Sequence, residues 1–357
     1  MTLVFVGTYT HSTSKGIYAY NMDPTTGALE PTGETAGMKN PSFLTFDPAQ
    51  KNLYAVSEVE EFERSPGGSV SAFSIESGTG KMIPINTRPT IGTIPCHLKV
   101  DATSTRLVLA NYGSGSVVVY PIRDDGGIGE MSEFVQHQGS SINPERQQGP
   151  HAHSVTIGPE NRFVYAADLG VDKLFTYQLD IPSGKLTPAT SPFARMVDGA
   201  GPRHFDIHPN GKRGYAINEL NSTITALTLD PDTGALDPVQ TLSTIPEGFS
   251  GVTHCADVHV APSGKFVYGS NRGHDSIAIF AIDQATGELS LVGYEPTLGK
   301  TPRNFAIDPT GTILLAANQD SDSIVTFHID QDTGELHPTG DVAEVPMPVC
   351  VKLAPLA

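Results

Sequence analysis

The chain has 357 residues with 36 Gly, 28 Pro and no Trp, and only 17% of its residues are charged, 39 acidic against 22 basic, for a formal charge of −17. Gly and Pro at that density, in a chain that is still 38% hydrophobic, exclude both a helical bundle and a disordered polymer and point to many short strands joined by turns. An acidic chain with no run of Lys or Arg excludes nucleic acid as the main partner, and no apolar stretch is long enough for a bilayer span.

Met1-Thr-Leu-Val runs straight into strand-like sequence without a signal-peptide core, so the expected location is the cytoplasm. Cys96, Cys255 and Cys350 are widely spaced and odd in number, which predicts reduced thiols in a core.

Taken in chain order, one pattern returns. It starts at Pro41 (Pro-Ser-Phe-Leu-Thr-Phe-Asp-Pro) and recurs at Pro95 (Pro-Cys-His-Leu-Lys-Val-Asp), His153 (His-Ser-Val-Thr-Ile-Gly-Pro), Pro202 (Pro-Arg-His-Phe-Asp-Ile-His-Pro-Asn-Gly) and Cys255 (Cys-Ala-Asp-Val-His-Val-Ala-Pro-Ser-Gly). Pro302 (Pro-Arg-Asn-Phe-Ala-Ile-Asp-Pro-Thr-Gly) aligns with the Pro202 copy without a gap, and Pro348-Val-Cys-Val-Lys-Leu ends the series. Each copy but the last continues into a second β-rich run such as Phe163-Val-Tyr-Ala-Ala, then a third such as Ser276-Ile-Ala-Ile-Phe. A turn follows, of the type Asp230-Pro-Asp-Thr-Gly, in which Gly supplies the positive φ, and a fourth, more polar strand comes after it. Four strands at a pitch of roughly 50 residues are a propeller blade.

First strands near residues 42, 96, 153, 203, 255, 303 and 350 predict an all-β, seven-bladed propeller of four-stranded antiparallel blades, one domain over residues 1–357. The chain opens on a second strand, Leu3-Val-Phe-Val, and closes on a lone first strand, so the two ends are expected to pair and seal the ring. A parallel α/β fold is excluded because no apolar segment of 3.6-residue period separates the runs.

In a propeller the loops leading into first strands and out of second strands meet at one mouth of the central channel. The residues leading in are Ser42, Cys96, His153, Arg203, Ala256, Arg303 and Val349; those leading out are Tyr9, Glu58, Tyr112, Leu169, Glu219, Arg272 and Gln319. Three Arg converging in an acidic chain suit a small anion held by guanidinium forks, or else ion pairs between blades. Gly149-Pro-His-Ala-His places His151 and His153 two apart, either as a metal half-site completed by His254 or as a working imidazole (His153) with a loop contact (His151). Glu219 beside two Arg would stay ionised, able to orient water or accept a proton, or to serve as a salt-bridge anchor. His208, His259 and His328 fall in strand framework. No Gly-x-Ser-x-Gly elbow, P-loop or dinucleotide fingerprint is present, and a pure interaction module is the standing alternative for any propeller.

Together Gly7-Thr-Tyr-Thr, Gly149-Pro-His-Ala-His-Ser, Gly201-Pro-Arg-His, Asn218-Glu, Ser270-Asn-Arg-Gly and Thr301-Pro-Arg-Asn-Phe resemble the lactonase family of seven-bladed propellers, over essentially the whole chain. That family includes propeller-type 6-phosphogluconolactonases and the fungal 3-carboxy-cis,cis-muconate cyclase. The resemblance implies opening or closing of a charged lactone, and its motif positions carry the catalytic set onto His153, Arg203, Glu219 and Arg272. It implies Arg203 and Arg272 as anion and oxyanion donors, with Glu219 or His153 activating water. Around them His151, His254, Arg303, Glu58 and Gln319 are expected to bind substrate. Arg303, in its Pro-Arg-x-Phe-x-Ile-Asp motif, looks like the phosphogluconolactonase type rather than the cyclase, so the expected reaction is hydrolysis of 6-phosphogluconolactone. The other readings are a muconate-type cyclase and a non-enzymatic binding propeller. Neither cofactor nor metal is expected, the partner is the small anionic sugar lactone, and a monomer is compatible with the sequence.

Overall fold

Each repeat of the sequence becomes one antiparallel sheet in the computed structural model, which describes residues 2–76 and 78–355. These described residues form seven four-stranded sheets and one small hairpin, Glu61–Phe62 with Ser65–Pro66. Blade one joins the last strand, Pro348–Pro355, to Thr2–Thr8, Gly16–Met22 and Leu29–Ala36. Blades two to seven follow in chain order, with inner strands Phe43–Phe46, Pro95–Val100, Ala152–Ile157, Pro202–Ile207, His254–Val260 and Pro302–Ile307. The seven-bladed expectation holds, including its seam: Thr2–Thr8 lies between its hairpin partner and Pro348–Pro355, in register from Thr2↔Pro355 to Gly7↔Cys350.

Burial follows strand position. Second strands are covered on both faces by the neighbouring blades, so Thr2–Thr8 and Ile313–Asn318 are buried throughout, whereas outer strands such as Leu289–Pro296 are largely exposed. This is why second-strand runs read as continuous apolar sequence and fourth strands as polar. Buried tyrosines in second strands also tie blades two, five and six to the blade that follows: the Tyr54, Tyr215 and Tyr268 hydroxyls donate to Gly126, Gly287 and Gly334 carbonyls at 2.9, 3.1 and 3.0 Å.

Around the axis, inner-strand side chains bond the backbone of the following blade. Cys350 Sγ accepts from Leu44 N–H, His97 Nδ1 from Val155 N–H, Asp206 from Val260 N–H, Asp257 from Phe305 N–H and Asn304 Oδ1 from Val351 N–H, while Thr156 donates to the Phe205 carbonyl. All three cysteines are buried and unpaired. Among the described residues no helix is long and apolar enough to cross a membrane.

A chain ended at Met347 leaves Thr2–Thr8, buried throughout in the full chain, as an open edge. It is expected to lose its cooperative thermal transition and to associate in size-exclusion chromatography. A monomer melting within a few degrees of the full chain would contradict the seam's role.

Candidate functional site

Six inner strands break their ladder at one and the same level. Pairing skips Cys96, His153, Arg203, Arg303 and Val349, and in blade six it skips the Ala256-Asp257 pair. Each is a β-bulge, which inserts an extra residue and re-aims its side chain. The residues aligned from sequence as leading into first strands are therefore the bulge residues themselves; in blade two the equivalent Ser42 precedes the strand.

The bulges bring Arg203 onto Glu219. Glu219 Oε2 is 3.0 Å from Arg203 Nε and 2.8 Å from Arg272 Nη2, and its Oε1 is 2.7 Å from Arg146 Nη2. Burial alone would raise the Glu219 carboxyl, but Arg272 and Arg203 outweigh it and hold the group well below the usual carboxylate range. Burial and the guanidiniums of Arg272 and Arg303 lower Arg203 to about 10, so it remains charged at neutral pH. The three cations differ in reach: their side chains are 3% (Arg203), 15% (Arg272) and 35% (Arg146) exposed, so Arg203 is the buried root of the clamp and Arg146 its open edge.

Arg146 lies outside the repeat and was not anticipated. It sits on the long connection between Glu133–Gln136 and Ala152–Ile157, which two buried aspartates fasten down. Asp168 takes His137 Nδ1 at 2.6 Å and His151 N–H at 2.7 Å; Asp172 takes Ser141 Oγ, Gln147 Nε2 and the N–H groups of Gly199 and Gly201. The length of this connection was the available signal, and repeat alignment discards it.

His151 Nδ1 lies 2.9 Å from the Tyr112 carbonyl, and its ring stacks on Tyr112 at 4.6 Å. A carbonyl only accepts, so Nδ1 carries the proton and Nε2 the lone pair. His153 lies deeper, buried, with Nδ1 3.7 Å from Cys96 Sγ; burial and Arg203 hold its imidazole well below its ordinary value. Tyr112, its hydroxyl 3.2 Å from Arg146, links the two histidines to the clamp.

Across the mouth, Arg303 lies over the Tyr9 ring at 5.3 Å and Tyr9 donates to Glu58 Oε1 at 2.9 Å. Among the described residues Arg303 makes no ion pair. The expected ligand residues divide accordingly. Arg303 and Glu58 line one small space with Arg203, whereas Gln319 gives its amide to Asp320 and His254 pairs in the ladder with Arg272. Among the described residues no group of three His, Cys, Asp or Glu is placed to hold a metal ion.

One residue below the bulges the channel is plugged. Phe43, His97, Ser154, His204, Asp257, Asn304 and Cys350 are all buried. His97 packs on Phe43 at 4.0 Å with the rings tilted by 33°, and meets His204 at 5.2 Å. His204 Nδ1 donates to Asp257 at 2.7 Å, and its Nε2 lies 3.1 Å from Arg203 Nη1. Burial and Arg203 lower His204 to about 4. The space left between plug and clamp is about 10 Å³, the room of a single water. Roomier clefts of about 430 and 540 Å³ lie outside, between blades one and two, and hold none of these groups.

Glu219→Gln leaves three guanidiniums around a neutral amide, and a loss of about 3–5 kcal/mol is expected by denaturant unfolding; a loss below 1 kcal/mol would show that the carboxylate does not hold the clamp. The plug makes a pH prediction. A folded-state histidine value below the unfolded one means that stability is complete above pH 6.5 and lost as pH falls toward about 4, by about 3 kcal/mol for His204 alone. His97 and His153 act in the same direction. Tm should fall through this window, and less steeply in His97→Gln.

Three comparisons with known proteins bear on this arrangement. The family described as "Lactonase, 7-bladed beta-propeller" matches residues 3–353. The 6-phosphogluconolactonase of Bacillus subtilis (strain 168) is 38% identical over 305 residues, covering 85% of this chain and 84% of that one. The 6-phosphogluconolactonase of Formosa agariphila is 35% identical over 310 residues, 85% and 86% of the two chains. The solved structure of the periplasmic gluconolactonase of Pseudomonas aeruginosa superposes with a TM-score of 0.94 at 31% identity, over 100% of this chain and 99% of that one. The chain belongs to the lactonase family of seven-bladed β-propellers.

Proposed function

We propose that the protein hydrolyses the ester of a sugar lactone, with 6-phosphogluconolactone as substrate. The observation that carries this reading is the charge balance at the mouth. Four guanidiniums (Arg146, Arg203, Arg272, Arg303) face two carboxylates (Glu58, Glu219), and Arg303 is left without an ion pair among the described residues. A cup with an excess of forked cations is suited to a substrate that brings its own phosphate. The two relatives named as 6-phosphogluconolactonases support the same substrate.

Glu219 is a poor proton acceptor because three arginines hold it ionised; its role is to fix Arg146 and Arg272. The proton acceptor is His151, whose Nε2 lone pair is set by the Tyr112 carbonyl. Water loses a proton to Nε2 as its oxygen bonds the lactone carbonyl carbon, and the resulting oxyanion is stabilised by Arg272 and Arg146. The ring C–O bond then breaks, and the leaving alkoxide takes the proton back from His151. His153 and Arg203 hold the floor beneath the reacting carbonyl, while Arg303 receives the phosphate. No step uses a metal or a cofactor. The seven blades work as one domain, and three buried free thiols fit a reducing, cytoplasmic location.

Purified protein is assayed on 6-phosphogluconolactone and gluconolactone with spontaneous opening subtracted; no rate above background sinks the reading. His151→Gln is expected to lower kcat by about 10²-fold or more with KM little changed. Arg303→Ala is expected to raise KM about 10-fold or more for the phosphorylated lactone and to leave the unphosphorylated one within about twofold. An equal effect on both lactones would remove the phosphate from Arg303.

A further inference from the structure

Below the plug the channel opens again. Two residues past the plug on each inner strand, about 10 Å from the bulge level at some 3.3 Å per residue, stand Thr45, Lys99, Thr156, Asp206, His259, Ala306 and Lys352. This lower ring has its own chemistry. Among the described residues neither Lys99 nor Lys352 makes an ion pair or a side-chain hydrogen bond, and they belong to the two blades flanking Thr45. Lys352 Nζ rests over the Phe43 ring at 4.5 Å, which orients it toward the axis. Lys99 is walled in by the channel yet reached by water; burial, and then the Lys352 charge, lower its ammonium from the ordinary value.

The acidic and imidazole groups of the ring are already committed on the opposite side. Asp206 accepts Val260 N–H at 2.8 Å and lies 4.0 Å from His259 Nδ1, and His259 Nε2 is bound to Asp257 at 3.0 Å. Two ammonium groups that repel each other across a confined, water-reached space, with Asp206 and Asp257 attracting Lys99 but paired with neither lysine, lack a counter-charge of their own. Beside Lys352 and His259 a cavity of about 200 Å³ opens on the far face, walled by Pro262, Ile307, Pro309 and Leu353.

We propose that this far mouth is a second anion site, in which Lys99 and Lys352 bind the oxyanion of a phosphate or phosphate monoester, with the adjoining cavity open to the ester's organic part. Lysine suits the task as a compact charge on a long stem that can close on phosphate from two sides. The plug separates this site from the Arg146–Arg272 clamp, so it stands or falls independently of the lactonase reading.

The full-length protein is melted at constant ionic strength, balanced with NaCl, in rising inorganic phosphate and, in a second arm, rising glycerol 3-phosphate. The wild type and Arg303→Ala, which removes the phosphate contact at the upper mouth, are each expected to gain roughly 3 °C in a saturable curve. The double variant Lys99→Gln/Lys352→Gln is expected to lose at least half of the gain while keeping kcat/KM within about twofold. Without phosphate, Lys99→Gln alone is expected to melt above the wild type, because it relieves the repulsion. A half-saturating concentration lower for glycerol 3-phosphate than for phosphate assigns the site to a monoester, and the reverse assigns it to the free ion. Equal gains in the wild type and the double lysine variant, or no gain beyond the NaCl control in either arm, overturn the proposal.

Discussion

A strand beside the axis of a closed ring gives its side chains to the two neighbouring blades, and something has to break that alternation before a residue can face the mouth. The bulge does so. In six blades it lifts one residue out of the ladder at a common level, and everything above and below is counted from there. The bulge residues reach the mouth, the next residues meet and close the channel, and the ones two further on line the far opening. Seal and site therefore depend on the same distortion, and it needs the ring held closed by Thr2–Thr8 against Pro348–Pro355.

That geometry forces charge into places where charge is costly, and the pairing follows from the cost. A buried carboxylate survives only if its oxygens are satisfied by donors, so Glu219 has three guanidiniums and Asp257 has His204, His259 and the Asn304 amide. Pairing is complete at the buried root and incomplete at the rim, where Arg146 is one-third exposed and Arg303 has only an aromatic face and a carboxylate held by Tyr9. Residual positive charge is thus displaced toward the place a ligand can reach. The formal charge of −17 describes the whole chain and conceals this gradient.

What repeats in the sequence was legible and what does not repeat was not. The seven first strands, the paired ends and the convergence of Arg203, Glu219 and Arg272 follow from periodicity, because each blade solves the same packing problem with the same pattern. Arg146 was invisible because it comes from a connection with no counterpart in other blades. Roles within a pair were invisible too. His151 and His153 are two apart in the sequence, yet one has its tautomer fixed by the Tyr112 carbonyl at the rim and the other is sunk beside Cys96. His204 and Asp257 stand next to recognised positions, and only the skipped ladder pairing shows that the residue after the bulge turns inward to form the plug. His259, read from its sequence as strand framework, does pack on Phe305, but it also holds Asp257.

The plug carries one further consequence, in the direction of its hydrogen bonds. A guanidinium can only donate, so the contact of Arg203 Nη1 with His204 Nε2 makes that nitrogen the acceptor and leaves the proton on Nδ1, where it is given to Asp257 Oδ1. Asp257 Oδ2 in turn receives His259 Nε2–H, leaving His259 Nδ1 toward Asp206 in the lower ring. Asp257 is thus the common acceptor on which a bond from the upper mouth and a bond from the lower ring converge. Reversing buried His204 would set two protons against each other at Arg203 and a lone pair against the Asp257 carboxylate. The plug is consequently not a passive filler between two charged ends: the Asp257 carboxylate at its centre draws donors from both sides, and the two mouths are insulated from each other in shape.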